Sequence, residues 1–185
     1  LSKGFIFSCK TLKFQGYKLR AYSFYSNLLI RKEKEMDITI VEDTLKIQQL
    51  YARYSDAIMR GDAETFGSCW CDDGFWFLLG KEYRGKDNVV AAYSKTTTGT
   101  DFVMHLAISP LISLDGDKAK VRTQVQEIVH FESGMAVLIL GNYNDELHKV
   151  DGQWLFADRR ISIRYSGPYS MDDNAFVPLP PEADK

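Results

Sequence analysis

The sequence predicts an α+β fold: a cone-like barrel in which N-terminal helices pack on one face of a strongly curved, mostly antiparallel sheet. Helical periodicity is confined to the first part of the chain, between residues 39 and 93. From residue 102 onward, long strand-like segments are joined by Asp-Gly and Ser-Gly turns, which is typical of an antiparallel meander. A strongly bent sheet that is closed by helices encloses a cavity, so the fold itself predicts a pocket.

Charge and composition fit one globular domain and exclude several classes of protein. The chain has 185 residues, of which 45% are hydrophobic. Residues 1–35 sum to a charge of +6, which leaves −8 for the remainder of a chain whose total is −2. Because a nucleic-acid platform needs a basic face, an acidic domain predicts no nucleic-acid partner. No apolar run reaches the length of a membrane span, so no membrane partner is predicted either.

The chain also lacks the sequence motifs of metal, nucleotide and nucleophile sites. Three cysteines without zinc-site spacing predict neither a metal site nor a disulfide framework, and they favour a reducing cytoplasm. No nucleophile elbow, P-loop, HExxH, EF-hand or GxGxxG pattern is present. Any chemistry would therefore use tyrosine, histidine and carboxylate side chains in a pocket, and no cofactor is expected.

The domain is predicted to span residues 36–165. Residues 1–35 are basic, show no sustained periodicity and are followed by Met36, so we expect a poorly ordered extension outside the domain. This extension is interpreted as upstream sequence read through before the true start, with a transit peptide as the alternative. Residues 166–185 are rich in proline and are predicted to form an extended tail.

The helices are predicted from capping and spacing. Thr39 and Glu42 have capping-box spacing, and Gly61 predicts the end of the first helix. Apolar residues recur at helical spacing between these points: Ile47, Leu50, Tyr51, Tyr54 and Ile58. The elements that follow are a short helix over 63–70, ended by the Asp-Asp-Gly at 72–74, a strand over 75–79 and a helix over 86–93.

Four long strands are predicted to complete the domain. They cover residues 102–114, 118–131, 135–150 and 153–165. In the second of them, even positions are polar and odd positions are apolar, except for Thr123 and Glu127 in the inward row. A buried glutamate is costly unless it is paired, so Glu127 indicates a polar pocket or an internal ion pair. A bulge that returns Glu127 to solvent is the alternative.

One histidine and one group of arginines are candidates for chemistry. His105 lies in a strand opposite an apolar row, and its pKa suits proton transfer, although a structural role is the alternative. His130 and His148 fall on polar rows and are expected at the surface. Three arginines crowd the last strand: Arg159, Arg160 and Arg164. The last two share the parity of Trp154 and Phe156, and they are interpreted either as ion-pair partners or as anchors for an anionic or carbonyl ligand.

The first helix carries two further candidates. Asp56 falls on the side opposite the apolar stripe, four residues before Arg60, so surface charge is its simplest interpretation and catalysis is the alternative. Tyr54 lies on the buried face, where a phenol needs a polar partner.

The order of elements resembles the SnoaL-like branch of the nuclear-transport-factor-2-like superfamily over residues 36–165. The segments that carry the resemblance are IQQLYARYSDAIMRGDAETFGSCWCDDG, YRGKDNVVAAY, MHLAISPLISLDGDKAKV, GNYNDELHKVDGQWLFADRR and IRY. The resemblance implies an apolar pocket between helices and sheet, in a family that includes polyketide cyclases, scytalone dehydratase and bile-acid 7α-dehydratase, all working without cofactors.

The resemblance also implies particular site residues. Tyr54, His105 and Arg164 match the tyrosine, histidine and last-strand arginine of the family's dehydratases. The pocket-lining candidates are Trp76, Thr123, Asn142 and Tyr143. Met59, however, stands where those dehydratases have the helix-1 aspartate that supports the histidine. Either Asp56 or Glu127 substitutes for it, or the dehydratase machinery is incomplete.

The first functional hypothesis is a cofactor-free dehydratase, isomerase or cyclase that acts on a small cyclic, largely apolar or aromatic molecule. His105 would be the general base, Tyr54 would polarise a carbonyl or hydroxyl group, and Asp56 or Glu127 would orient His105. The second is a non-catalytic module of the same fold for ligand binding or subunit assembly. A homodimer or higher homo-oligomer is expected because residues 135–140 are apolar at both parities. The tail, with Tyr169, Met171 and Phe176, would act as a lid over the pocket.

Overall fold

The computed structural model describes residues 38–170. The expectations for the extension at residues 1–35, and for the part of the lid that includes Met171 and Phe176, lie outside the described residues. None of the helices within residues 38–170 is both long and apolar enough to cross a membrane.

Three helices and six strands follow one another along the described chain. They are α1 (Ile38–Arg60), α2 (Ala63–Ser68), β1 (Trp70–Leu78), β2 (Lys81–Arg84), α3 (Lys86–Thr96), β3 (Thr100–Asp115), β4 (Lys118–Phe131), β5 (Ala136–Val150) and β6 (Gln153–Pro168). The strands form one sheet in the order β2-β1-β6-β5-β4-β3, in which only the β1–β6 pair is parallel. Helix α1 packs against β3 and β6. The predicted cone-like α+β class is thereby confirmed.

Helix α1 ends where Gly61 predicts, but Thr39 lies inside the helix and not at its N-cap, because Ile38 is already helical. The apolar stripe of α1 is buried, and the helix ends at Arg60 because Gly61 adopts a left-handed φ of +67°. Asp62 then caps α2 by accepting a hydrogen bond from the Thr65 backbone N–H at 2.9 Å. These two helices and α3 bring an aromatic cluster to the inner face of the sheet, in which Phe66 stacks on Tyr93 with 4.1 Å between ring centroids.

The first and last strands differ from the prediction. Strand β1 begins at Trp70 rather than at residue 75, and the Asp-Asp-Gly at 72–74 lies in a register shift of this strand. A Cβ on Gly74 would approach the Cys71 carbonyl oxygen to 2.9 Å, so only glycine fits there. The short strand β2 was not predicted. Strand β6 continues to Pro168, which pairs with Val137, so the first three residues of the predicted tail belong to the sheet.

Two bulges in β6 decide which of its side chains face the core. Phe156 pairs with Leu147 and Asp158 pairs with Glu146, so Ala157 is an extra residue. Before the bulge, even-numbered residues such as Trp154 and Phe156 face the core. After the extra residue the odd-numbered ones do, so Arg159 faces inward and Arg160 faces outward. A second shift, at Arg164, reverses it again.

Candidate functional site

A histidine lies at the centre of the polar residues on the inner face of the sheet. His105 on β3 is 1% exposed. Its Nδ1 lies 2.9 Å from Ser55 Oγ on α1, and its Nε2 lies 3.3 Å from the Tyr143 hydroxyl on β5. Both ring nitrogens are thus engaged. Either Nδ1–H donates to Ser55 and Nε2 accepts from Tyr143, or both bonds run in the opposite direction.

The surroundings of His105 keep its imidazole neutral. Burial, helped by the positive charge of Arg159, lowers the pKa of His105 to about 3. No carboxylate among the described residues is hydrogen-bonded to His105; hydroxyl groups occupy both ring nitrogens instead. Ser55 was not among the predicted residues. It follows Tyr54 and is four residues before Met59, so its place on the buried face of α1 was the only sequence signal for it.

Tyr54 lies beside His105 in the same cluster. Its ring centroid is 5.6 Å from that of His105, and the residue is completely buried. Within the described residues its hydroxyl group has no hydrogen-bond partner. Burial raises the pKa of Tyr54 well above its ordinary value, so the phenol keeps its proton and remains a hydrogen-bond donor.

Glu127 on β4 lies directly across the strand pair from His105. The two residues are direct cross-strand partners, and no register shift interrupts β4 there, so both side chains lie on the inner face. Of the two alternatives for Glu127, the inward orientation is therefore the one found. No hydrogen bond or ion pair involves its carboxyl within residues 38–170. Burial raises the pKa of Glu127 to about 7, although part of the residue still contacts solvent.

Beneath this cluster, a buried arginine is enclosed by aromatic rings. Arg159 has no exposed surface, and its guanidinium carbon lies 3.6 Å from the Tyr143 ring centroid and 4.2 Å from that of Tyr54. Asp145, its cross-strand partner, is 3.6 Å away and also accepts a hydrogen bond from Tyr51. The three guanidinium nitrogens have no hydrogen-bond partner among the described residues, so cation–π contacts and this ion pair hold the charge.

Arg159 was recognised in the sequence only as one member of a group of arginines. Strand parity favoured Arg160 and Arg164 as the inward residues, and both are found elsewhere. Arg160 forms an ion pair with Asp158 at 2.7 Å, and Arg164 is exposed at the second bulge. The physical reason is the bulge at Ala157, which the amino-acid pattern does not reveal.

Several other predicted site residues lie outside the cluster. Asp56 is bonded to Arg60 at 2.9 Å on the outer side of α1, as its surface interpretation expects. Asn142 alternates with Tyr143, so it lies on the opposite face of β5, where it pairs with Gln124. Tyr143 therefore lies on the inner face with the cluster, and Asn142 does not.

Two of the predicted pocket residues, Thr123 and Trp76, face inward and have structural roles. Thr123 is buried, and its hydroxyl donates to the Ile108 carbonyl oxygen at 2.7 Å, where β3 has a register shift. Trp76 belongs to the aromatic core and packs against Phe66 with 5.8 Å between ring centroids; its indole N–H has no partner within residues 38–170.

The expectation that His130 lies at the surface is wrong. The side chain is 3% exposed, and its Nδ1 lies 2.5 Å from Asp101 Oδ1. Asp101 lies in the register shift between Thr100 and Phe102, beside the end of β4, and there its carboxyl oxygen is a partner of the imidazole ring.

Around His105 and Glu127, the inner face of the sheet is apolar and incompletely covered. The neighbouring positions on the same face are half-buried or exposed, and we call them the apolar rim: Val103, Ala107, Val129, Val137, Ile139 and Ile163. Gly141 leaves one inward position without a side chain, because a Cβ there would lie 2.7 Å from the Ser162 carbonyl oxygen. The inner face therefore offers an apolar concave surface with a polar floor.

Other surface features do not coincide with this cluster. A groove of about 890 Å³ lies between the β1–β2 hairpin and α3, and its lining includes Lys81, Arg84 and Lys95. None of the cluster residues lines it. Within residues 38–170, no three histidine, cysteine, aspartate or glutamate side chains come together as metal ligands.

A cone of helices packed on a curved sheet is the architecture of the nuclear-transport-factor-2-like class. The family model of the SnoaL-like domain matches residues 39–160. The chain belongs to this SnoaL-like family, and the resemblance predicted from the sequence is confirmed.

Solved structures share the fold. A candidate scytalone dehydratase from Novosphingobium aromaticivorans is 21% identical, with a TM-score of 0.68 over 74% of this chain and 93% of that one. A hexachlorocyclohexane dehydrochlorinase is 20% identical, with a TM-score of 0.67 over 80% and 99%. A Mycobacterium tuberculosis protein of unknown function is 30% identical, with a TM-score of 0.63 over 70% and 75%. A comparison with curated proteins finds no match.

Proposed function

We propose that this chain is a cofactor-independent enzyme that moves a proton on a small, cyclic, largely apolar molecule, as a dehydratase, isomerase or cyclase does. The observation that carries the proposal is the polar cluster of Tyr54, His105, Glu127 and Tyr143 beside the apolar rim. Polar groups that converge on an apolar concave surface are typical of small-molecule sites.

The cluster has the parts that such a reaction needs. Loss of a proton next to a carbonyl group places negative charge on the carbonyl oxygen, and a phenol that keeps its own proton can donate a hydrogen bond to that oxygen. Tyr54 and Tyr143 are both such phenols, because burial raises the pKa of each. Two groups could take the proton: His105, as a neutral imidazole, and Glu127, as a carboxylate.

The position of Asp56 changes how His105 is supported. Because Asp56 is bonded to Arg60, it does not orient the imidazole. Ser55 and Tyr143 orient it instead, through the two ring nitrogens. The support that a carboxylate gives in the family's dehydratases is therefore replaced by hydroxyl groups, which fix the ring without favouring its protonated form.

Two of the structural relatives have names that describe eliminations, a dehydratase and a dehydrochlorinase. Their identities of 20–21% support the shared fold alone, so the proposed reaction depends on the residues of this chain. These relatives make elimination a reasonable first reaction to assay.

A non-catalytic binding or assembly module is the second candidate. Met59 at the place of the family's aspartate, and the absence of a carboxylate hydrogen-bonded to His105 among the described residues, favour it. Such a module would bind the same cyclic molecules and leave them unchanged. Turnover, measured beside binding, distinguishes the two.

A homodimer is part of the proposal. The outer face of the sheet carries an apolar area, the outer patch: Met104, Leu106, Ile108, Ile128, Leu138, Leu140 and Tyr165. Leu106 is 40% exposed and Tyr165 is 47% exposed. Exposed apolar patches of this kind mark interaction surfaces. We also place the protein in the cytoplasm, which the free thiols of Cys69 and Cys71 favour.

The test is a panel of cyclic ketones and phenols. Thermal denaturation of the wild-type protein with each compound identifies ligands by a rise in melting temperature. Each ligand is then incubated with the protein and analysed for dehydrated or isomerised product. We expect at least one ligand to be converted, and we expect His105→Ala to slow the conversion. Unchanged turnover in His105→Ala would contradict a role for this cluster in catalysis, and binding without any turnover would favour the module.

A further inference from the structure

We propose that Glu127, and not His105, is the group that removes and returns the proton, and that its substrate is an uncharged cyclic carbonyl compound. This inference rests on the proposed function and decides between the two candidate bases of the same site. Three observations carry it: which polar groups a ligand can reach, which of them are free of hydrogen bonds, and what surrounds them.

Accessibility separates the candidates first. Tyr54, His105 and Tyr143 are 0%, 1% and 3% exposed, so a molecule that enters from solvent cannot touch the imidazole without displacing its neighbours. Glu127 is the one member of the cluster that is only half-buried. It lies directly across the strand pair from His105, on the same face of the sheet. An entering ligand therefore meets the carboxyl group first.

Hydrogen bonding separates them again. A group that removes a proton from carbon needs a free lone pair directed at that carbon. Both ring nitrogens of His105 are occupied, by Ser55 and by Tyr143. The Glu127 carboxyl has no hydrogen-bond partner among the described residues, so its lone pairs are free. His105 thus serves to hold the Tyr143 hydroxyl in place, which makes it a positioning residue.

The surroundings of Glu127 define the substrate. Its neighbours on the inner face are Ile139 across the strand pair and the other residues of the apolar rim, which suit a hydrocarbon ring. Gly141 contributes no side chain between Tyr143 and Ile139 on β5, because the β6 backbone at Ser162 lies where its Cβ would stand. A carboxylate ligand would be repelled by Glu127 in its ionised form, so an uncharged ring with one carbonyl group fits best.

The Glu127 carboxylate takes a proton from the carbon next to the carbonyl group; the C–H electron pair forms a C=C bond, and the carbonyl π electrons move to oxygen. When the enolate collapses, Glu127 returns its proton either to a ring carbon, giving an isomer, or to a β-hydroxyl group, which leaves as water.

The acidity of the two groups agrees with this order. Burial raises the pKa of Glu127 to about 7, where a general base works best near neutral pH. The same burial lowers the pKa of His105 to about 3, and so weak a base is poorly suited to the removal of a proton from carbon. Charge, access and hydrogen bonding therefore favour the same residue.

Exchange of hydrogen for deuterium tests the assignment without knowledge of the natural substrate. Cyclohexanone, cyclohexenone and tetralone are incubated with the protein in deuterium oxide, and loss of their α-proton signals is followed by proton NMR. We expect wild-type protein to accelerate the exchange, with a rate that rises as pH increases through about 7. Loss of a general base costs on the order of 100-fold or more, so Glu127→Gln should show at least that loss.

Three further variants make the result decisive. Glu132→Gln is the matched control, because Glu132 is exposed in the turn that follows the same strand, and it should exchange at the wild-type rate. Glu127→Asp keeps a carboxylate and should recover part of the activity. His105→Gln should slow exchange less than Glu127→Gln and should leave the shape of the pH profile unchanged.

The outcomes separate this inference from the proposed function. Exchange that persists in Glu127→Gln and disappears in His105→Gln would overturn the inference and keep the proposed function, with His105 as the base. Ketones that bind wild-type protein and never exchange would overturn both, and the binding module would remain. A pH profile that stays flat between about 5 and 9 would also contradict Glu127 as the base.

Discussion

Substitution of Glu127 by glutamine should stabilise the protein at high pH and leave its stability unchanged at low pH. Burial raises the pKa of the carboxyl in the folded protein to about 7, whereas the unfolded chain has the ordinary value of 4.5. Below pH 4.5 the carboxyl is protonated in both states, and the folded protein carries no penalty. As pH rises from 4.5 to about 7, the unfolded state ionises first, so the wild-type protein loses stability over this window.

The size of the effect follows from the difference between the two pKa values. Each tenfold change in the ionisation constant corresponds to about 1.4 kcal/mol, so full ionisation of Glu127 lowers the free energy of unfolding by roughly 3 kcal/mol. Because Glu127 keeps part of its surface in solvent, we treat this figure as an upper limit. Glutamine has nearly the same shape and no charge, so Glu127→Gln removes the cost. With a typical urea dependence, its denaturation midpoint at about pH 8 should lie roughly 1 to 3 M above that of the wild type.

Urea denaturation at pH values from about 4 to 9 measures the effect. Glu132→Gln is the control, since Glu132 is exposed and its substitution should not change the pH dependence. Equal stability of wild-type and Glu127→Gln protein at every pH would refute the placement of this carboxyl group on the inner face. A Glu127→Gln protein that is less stable at about pH 8 would mean that a bond to the ionised carboxyl exists.

Four other expectations follow from the same contacts. Arg159→Met should destabilise the protein by about 3–5 kcal/mol, because the buried Asp145 loses its partner, and adding Asp145→Asn should recover part of this loss in a double-mutant cycle read by denaturation. Nitrogen NMR of ring-labelled histidine should show His105 neutral from about pH 5 to 8, since its pKa is lowered to about 3; an imidazolium signal in that range would contradict the buried site. Tyr143→Phe should cost about 1 kcal/mol of stability and slow any turnover far more than it weakens binding, as separate measurements of kcat and KM would show. Light scattering should give twice the monomer mass, and Leu106→Lys, on the outer patch, should reduce it to the monomer mass; a wild-type monomer at micromolar concentration would exclude the dimer.

Much of the fold could be predicted from local patterns. The bounds of β4 are those expected, because alternation, an Asp-Gly turn and a Ser-Gly turn all indicate the same strand. The same alternation placed Glu127 in the inward row with a bulge as the alternative, and the inward orientation is the one found. The end of α1 at Gly61 was likewise predicted, since a residue with positive φ is needed there.

The parts that could not be predicted share a physical cause. A bulge adds one residue to a strand and exchanges its faces, and no residue type in β6 marks the bulge at Ala157. Parity therefore favoured Arg160, and the residue that enters the core is Arg159. The prediction for His130 was wrong for a related reason, because its partner Asp101 lies at a register shift in the neighbouring strand.

The candidate site shows a second limit. The family resemblance indicated the aspartate position at Met59 and predicted that another carboxylate, Asp56 or Glu127, substitutes for it. In the structure the partner of His105 on α1 is the hydroxyl group of Ser55. This contact depends on how closely α1 packs against β3, and no pattern within either element predicts it. Contacts between elements that are far apart in sequence are not visible in local periodicity.

The central claim, that the inner-face cluster binds a small cyclic molecule, is tested most directly by the histidine spectrum during a ligand titration. The chain has three histidines, His105 at the site and His130 and His148 away from it. A cyclic ketone or phenol that raises the melting temperature is added stepwise to ring-labelled protein. We predict that the His105 ring signals shift along the binding isotherm while those of the other two histidines stay in place. Saturable binding that leaves the His105 signals unmoved would contradict the account.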